Sequence, residues 1–178
     1  MITNIPADEA TYLLMKLPRD KTYHLMGLLG SETNKKLRKL LSFAQNTAGG
    51  LMTTEYLFLK PDATVADAFN KIKENINFPG TIFFLYIVDN DHKYLGTTSL
   101  RRFFNENPQT LLLDTCYPEN IHVYTDDSVE QVALLLERYK SSSIPVLNHE
   151  DILQGIITID DVMEVLISLV WSKYKDKL

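Results

Sequence analysis

Gly155-Ile156-Ile157-Thr158-Ile159-Asp160-Asp161 sets how the rest of the chain reads. A short apolar strand runs out of a glycine turn into a threonine, and two carboxylates follow at the start of a helical pattern. Thr158 stands where a phosphate meets a helix N-terminus, whose N–H groups and dipole favour anions. Asp161 lies one helical turn further on, within reach of a sugar hydroxyl or a cation. The same residues equally suit a plain strand-to-helix turn with its cap. An upstream copy reads Gly96-Thr97-Thr98-Ser99-Leu100-Arg101-Arg102, with Arg102 at the place of Asp161.

The surroundings of the two turns repeat as well. Tyr56-Leu57-Phe58-Leu59 predicts a strand, Pro61-Asp62 a turn, and Thr64 the cap of a helix through Asn75. After a Phe78-Pro79-Gly80 loop come a strand from Thr81 to Val88, a turn at Asp89-Asn90-Asp91, and a strand from His92 to Thr98. Leu100 to Phe104 then starts a helix. The second copy runs through a strand at Asn120 to Tyr124, a helix from Ser128 to Tyr139, strands at Ile144 to Leu147 and Ile152 to Thr158, and a helix from Asp160. Val65 matches Val129 and Gly96 matches Gly155, so the first copy has the longer helix-to-strand loop. An internal repeat of this kind decides the architecture. The fold class is α+β: two β-α-β-β-α units in tandem, packed sheet to sheet about a pseudo-twofold axis, with their Gly-x-x-Ser/Thr turns facing a shared cleft.

Residues 1–50 read as a short all-α domain. Pro6 suits a first helical turn, and Ala7 to Leu17 continues it until Pro18. A second helix spans Asp20 to Leu29 with Gly30 as C-cap, and Ser31 is the N-cap of a third carrying Leu37, Leu40 and Leu41. Ala48-Gly49-Gly50 breaks the helical pattern. The expected division is residues 1–50 helical, 51–114 first unit, and 115–178 second unit with an apolar C-terminal helix.

Composition narrows the function. Among 178 residues 45% are hydrophobic and 23% charged, an ordinary globular balance. The net charge of −5 argues against nucleic acid as a partner. Cys116 is the one cysteine, so no intrachain disulfide forms and a cytoplasmic setting fits. The first residues, with Pro6, Asp8 and Glu9, do not resemble a signal peptide. No run approaches the roughly 20 apolar residues that span a bilayer, so direct membrane insertion is not expected. His24, His92, His122 and His149 are scattered without transition-metal spacing. Ser141-Ser142-Ser143 reads as a loop and Cys116 has no base beside it, so the chain is expected not to be an enzyme.

The paired Gly-x-x-Ser/Thr turns, Ile144-Pro145-Val146, and the openings Asp62-Ala63-Thr64-Val65 and Asp126-Asp127-Ser128-Val129 resemble a tandem pair of CBS domains, named after cystathionine β-synthase. That resemblance covers roughly residues 51–167. Asn46-Thr47-Ala48-Gly49-Gly50-Leu51-Met52-Thr53-Thr54-Glu55-Tyr56 is similar to the junction of MgtE-type magnesium transporters, where a helical N domain meets the CBS pair. Tyr86-Ile87-Val88-Asp89 and Gly96-Thr97-Thr98-Ser99-Leu100-Arg101 are similar to that family too. The resemblance implies a cytosolic dimeric sensor that binds magnesium and adenine nucleotide and restrains a membrane pore through a connecting helix. The helical part here is shorter than the family's, and Arg102 stands where the family has an aspartate on the ribose. After Glu164 the family's acids give way to Ile167, Leu169, Val170 and Trp171, then Lys173, Lys175 and Lys177.

Two residue sets are the expected nucleotide contacts, for AMP or ATP. In the second unit they are Thr158 and Asp161, with Tyr124, Thr125, Ser143, Ile144 and Pro145 on the cleft wall. In the first they are Ser99, Arg101, Arg102, Phe84 and Tyr86, the arginines suited to phosphates. Asp160, Asp161 and Glu164 share one helical face and are the candidate magnesium ligands; the helix dipole alone also favours acids there. The last helix, from Val162 to Trp171, has little polar face, which points to a homodimer contact, packing on its own sheet, or both. The expected partners are a second copy and either a transporter membrane domain or a separate target protein. A free-standing adenylate sensor and a ligand-free dimerisation scaffold are the competing readings.

Overall fold

The structure, a computed structural model, describes residues 10–11, 13–14, 17–75 and 82–175. The expectations at Pro6, Asp8, Glu9, Lys177 and the Phe78-Pro79-Gly80 loop lie outside these residues.

Short amphipathic helices are unstable alone and need a surface to pack on. Three of them follow one another: α1 (Arg19–Gly27), α2 (Ser31–Leu41) and the single turn α3 (Ala48–Leu51). α1 stops at Gly27 with Leu28 as C-cap, and Gly30 is the N-cap of α2, so Gly30 and Ser31 do not hold their expected cap roles. The reason is that α2 supplies the closure itself. The Asn34 side-chain amide donates to the Met26 carbonyl, which also accepts the Leu29 N–H at the end of α1.

Ala48-Gly49-Gly50 forms a helical turn and does not break the pattern, with the Thr47 hydroxyl accepting from Gly50 N–H. Its glycines are there for close approach. A Cβ at Gly50 would lie 2.1 Å from the Ala44 carbonyl oxygen, and one at Gly49 would meet the Phe43 ring at 2.6 Å and the Thr125 carbonyl at 2.9 Å. Gly49 N–H donates to that Thr125 oxygen, and Ala48 N–H to Asp127, which docks the turn on the second unit. Gly50→Ala is expected to destabilise the chain by about 1–3 kcal/mol through overpacking, read as a lower urea midpoint.

The first unit comprises β1 (Phe58–Leu59), α4 (Val65–Glu74), β2 (Phe84–Val88), β3 (Tyr94–Ser99) and α5 (Leu100–Phe103). A 3-10 turn, Leu112–Thr115, leads into the second unit, which has β4 (Val123–Tyr124), α6 (Val129–Tyr139), β5 (Ser143–Leu147), β6 (Leu153–Thr158) and α7 (Ile159–Lys175). Thr64 caps α4 as expected, and Ser128, expected as the first residue of α6, is its N-cap. Each sheet has three strands, in orders β1-β2-β3 and β4-β5-β6, the first pair parallel and the second antiparallel. Phe84 pairs with Ser99 as Ser143 pairs with Thr158, and each hairpin shifts register at the same place. The tandem pair of the α+β reading is therefore present down to strand register.

β1 and β4 are shorter than expected because the chain enters each unit along the other unit's sheet. Thr53 pairs with Ile156 of β6, and Tyr117 N–H donates to the Thr97 carbonyl on β3. Tyr86, Val88, Tyr94, Leu147, Leu153 and Ile156 are buried together between the sheets. Tyr94 N–H bonds the Asp151 carbonyl and Leu153 N–H the His92 carbonyl, which ties β3 to β6 where both begin.

The opening helices pack on the second unit. Leu14, Met26, Leu37 and Leu40 share one core with Val132, Leu136, Ile144, Ile157 and Val162. The first unit keeps a separate core around Leu57, Ala68, Leu85 and Phe103. α7 buries Val162 in the shared core and turns a ridge of Ile159, Met163, Ile167 and Trp171 outward, 41%, 47%, 48% and 66% exposed. Among the described side chains of this helix, that ridge lies outside the core of its own unit.

Candidate functional site

A cleft of about 240 Å³ opens between the two units. Phe84 from β2 and Tyr94 and Thr97 from β3 form its first-unit wall. The segment between the units adds Tyr117, Glu119 and Ile121, and β5 adds Ser143, Ile144 and Pro145. Tyr139 and Lys140 close one end, because α6 stops there: Lys140 adopts a left-handed conformation (φ 50°) as C-cap and turns the chain into β5. Beneath the cleft the Tyr86 hydroxyl and Ser143 Oγ are 2.6 Å apart and both residues are buried. Burial pushes the Tyr86 phenol well above its ordinary range, so it stays protonated and this link between β2 and β5 is neutral.

Beyond Tyr117 lies a shallower hollow lined by Arg101, Arg102, Asn105, Glu106 and the same tyrosine. The Arg102 guanidinium sits 4.8 Å from the Tyr117 ring centroid, and its Nη1 donates to the Cys116 carbonyl at 3.0 Å. Ser99 Oγ is 2.8 Å from the Tyr117 hydroxyl. Neither arginine forms an ion pair with a carboxylate among the described residues.

The turn at Gly155 is organised differently. Thr158 N–H and Oγ1–H both donate to Asp161 Oδ2, at 2.9 and 2.5 Å, so the threonine and the acid satisfy each other. Asp160 and Glu164 are exposed on α7. Among the described residues no group of three or more acids, histidines or cysteines gathers to hold a metal ion. Asp161 is committed to Thr158, and Asp160 and Glu164 lie exposed one turn apart on the same helix.

The two expected nucleotide sets are also regrouped. Ser143, Ile144 and Pro145 line the cleft with Phe84, and Ser143 is also the strand partner of Thr158 on β6, while Thr158 and Asp161 are not among the cleft's lining residues. Tyr124 and Thr125 lie toward the far end of β5, where Tyr124 pairs with Leu147. Tyr124 stacks on His149 at 4.8 Å, and Thr125 is used through its backbone by Leu147 and Gly49. The physical reason is the crossing of the chain between sheets, which builds each cleft wall from the starts of β2 and β5 together. Tyr117, Glu119, Tyr139 and Lys140 escaped the sequence reading. Their signal was the repeat itself: Tyr117 stands before the second unit where Thr53 stands before the first.

Cys116 sits against Gly96, where an added Cβ would lie 2.8 Å from its sulfur. Burial pushes its thiol up to about 11, outweighing the pull of the nearby Arg102. At about pH 8 its reaction with an aromatic disulfide is expected to be at least ~10-fold slower in folded than in urea-unfolded protein. Equal rates would contradict the half-buried placement of the thiol against Gly96.

The doubled β-α-β-β-α unit, with a cleft between its halves, defines the class of fold. The sequence matches the CBS domain family over residues 48–107 and 116–168, and the chain belongs to that family. The magnesium transporter MgtE of Thermus thermophilus is 33% identical over 142 residues, covering 80% of this chain and 32% of the transporter. A crystal structure of the soluble part of a magnesium transporter matches with a TM-score of 0.90 at 31% identity, over 94% of this chain and 66% of that one. The cytosolic domain of the magnesium channel MgtE in complex with ATP matches with a TM-score of 0.88 at 29% identity, over 92% of this chain and 67% of that one. The chain spans about a third of the length of the curated transporter it matches. No helix among the described residues is long and apolar enough to cross a membrane.

Proposed function

We propose that the chain is a cytosolic, non-enzymatic sensor of an MgtE-like magnesium transport system that binds adenine nucleotide between its two units. One observation carries this reading: the cleft has walls from both units and from the segment joining them. A ligand held there contacts both halves at once, and so favours the relative arrangement that fits it best. Phe84, Ile144 and Pro145 offer flat apolar surface for the base, Thr97 and Glu119 offer acceptors for ribose hydroxyls, and Arg101 and Arg102 suit phosphates. The ATP complex of the similar MgtE domain supports the ligand class. Titration calorimetry with AMP and ATP, with and without magnesium, tests it. Saturable heat with at least one of the nucleotides is expected, and folded protein that gives none would sink the sensor reading.

The response would leave through α7. Ile144 of the cleft wall shares a core with Ile157 and Val162, at the root of that helix. Its exposed ridge suits a second copy of the chain, or a membrane domain beyond it, because exposed apolar side chains in one line mark an interaction face. Met163→Glu with Ile167→Glu is expected to turn a dimer into a monomer in sedimentation without loss of helix content. A monomeric wild type would rule out the homodimer. The mutual closure of Thr158 and Asp161 favours one competing reading, a ligand-free scaffold, in which dimerisation persists and no nucleotide binds.

A further inference from the structure

We propose that His92 is a proton-operated latch on the seam between the opening helices and the first unit: the neutral ring lets the seam close, and the protonated ring opens it. The inference needs no ligand in the cleft and goes beyond nucleotide sensing.

Three parts of the fold meet at this residue. His92 lies in the turn between β2 and β3 with a left-handed backbone (φ 65°). Its N–H donates to the Asp89 carbonyl, and its own carbonyl accepts Leu153 N–H from the second unit. Its ring stands at right angles to Phe58 at 4.8 Å, and Nε2 lies 3.4 Å from the Tyr56 hydroxyl. The third part is α2. Lys36 of that helix reaches Glu55 at 4.0 Å, and Lys39, one turn later on the same face, brings its charge to bear on the His92 ring.

The charges around the ring are unbalanced. Lys60 Nζ donates to the same Asp89 carbonyl that accepts His92 N–H, which holds its ammonium beside the imidazole. The Asp89 carboxylate is turned to the backbone, where Oδ1 accepts from Asp91 N–H at 2.9 Å and Lys93 N–H at 2.8 Å. Glu55 is engaged by Lys36, Asp91 and Lys93 are exposed, and Asp151 of the second unit meets β3 through its carbonyl. Among the described residues neither Lys39 nor Lys60 forms an ion pair with a carboxylate. Burial, then Lys60 and Lys39, therefore hold the His92 ring below its ordinary value, against a weaker opposing pull from Asp89. Burial also pushes the Tyr56 phenol up to about 12, so it keeps its proton. It can donate to Nε2 of a neutral ring, whereas a protonated ring offers no acceptor there.

The folded chain thus binds this proton more weakly than the unfolded chain does. The stability contributed by the neutral ring is complete above the ordinary histidine value of about 6.5, and is lost as pH falls through the lower folded value. Protonation adds a third positive charge beside Lys60 and Lys39. Lys60 is tied into the first unit, and α2 is rooted in the second unit's core through Leu37 and Leu40, so the repulsion acts across the seam.

The experiment uses the full chain without nucleotide. Carbodiimide coupling of Lys36 to Glu55, followed by mass spectrometry, reads whether the seam is closed, and variants are compared at one pH at a time. His92→Asn takes up no proton and tolerates the left-handed backbone. At about pH 5 it is expected to couple about 2- to 5-fold more than wild type, the scale of one partly exposed charge contact. At about pH 7.5 the two should couple alike. In parallel, the His92 ring is titrated by NMR. Lys39→Gln and Lys60→Gln should each raise its midpoint, and so should about 1 M salt in wild type. Equal coupling in wild type and His92→Asn at about pH 5 overturns the latch. So does a His92 midpoint untouched by Lys39→Gln, because α2 then does not feel the ring. Either result leaves nucleotide sensing standing. The Lys39→Gln titration leaves His92 in place, so it decides even where His92→Asn does not fold.

Discussion

Leu37→Ala is expected to lower the stability of the whole chain by about 2–5 kcal/mol, the cost of a buried large-to-small change. Leu37 belongs to α2 but is 0% exposed, and it packs into the core that also holds Val132, Leu136, Ile144 and Val162 of the second unit. A helix of this length is not stable by itself, so its packing energy comes from that unit. The loss should therefore appear as one shifted transition in urea, followed by circular dichroism, with little change in slope. A helical segment that melted early, leaving the main transition in place, would show that residues 17–51 fold apart from the CBS pair. The same experiment bears on signalling. If the opening helices and the second unit are one cooperative body, a ligand that moves the second unit against the first carries the helices with it.

The fold was legible in the sequence because the repeat was. Two Gly-x-x-Ser/Thr turns, each at the end of the same strand order, specify a pair of units, and the strand registers Phe84–Ser99 and Ser143–Thr158 match residue for residue. The helix cap at Thr64 was also readable, since a side chain capping its own helix is a local event. The site was legible in residue type but not in grouping. Phe84 and the Ser143-Ile144-Pro145 run sit on one cleft because strands from different units meet, and periodicity along one strand carries no information about that meeting. Tyr117 shows the same limit. Its neighbours in sequence give it no pattern, and its importance comes from Ser99 and Arg102, which reach it across the fold. The Ala48-Gly49-Gly50 misreading had a different source. Glycines usually weaken a helix, yet here the turn is pressed so closely on Ala44 and Thr125 that no side chain fits.

Phe84→Ala is expected to weaken adenine nucleotide binding by about 5- to 150-fold, the range for removing one aromatic face from beneath a base. Phe84 lines the cleft at the start of β2 and is only partly buried, packed at the edge of the cluster between the sheets. Its loss should therefore cost the fold less than Leu37→Ala does. The informative quantity is the pattern across ligands. With the base placed on Phe84, as proposed, Phe84→Ala should lower AMP and ATP affinity together and keep their ratio. Tyr86→Phe gives a second pattern. It strips the partner from buried Ser143 Oγ beneath the cleft and should cost about 1–3 kcal/mol of stability. Its effect on ligands should come through the spacing of β2 and β5, alike for every nucleotide. An ATP-to-AMP ratio that moved in Phe84→Ala would mean that the base does not lie on Phe84. The ligand would then be oriented the other way along the cleft.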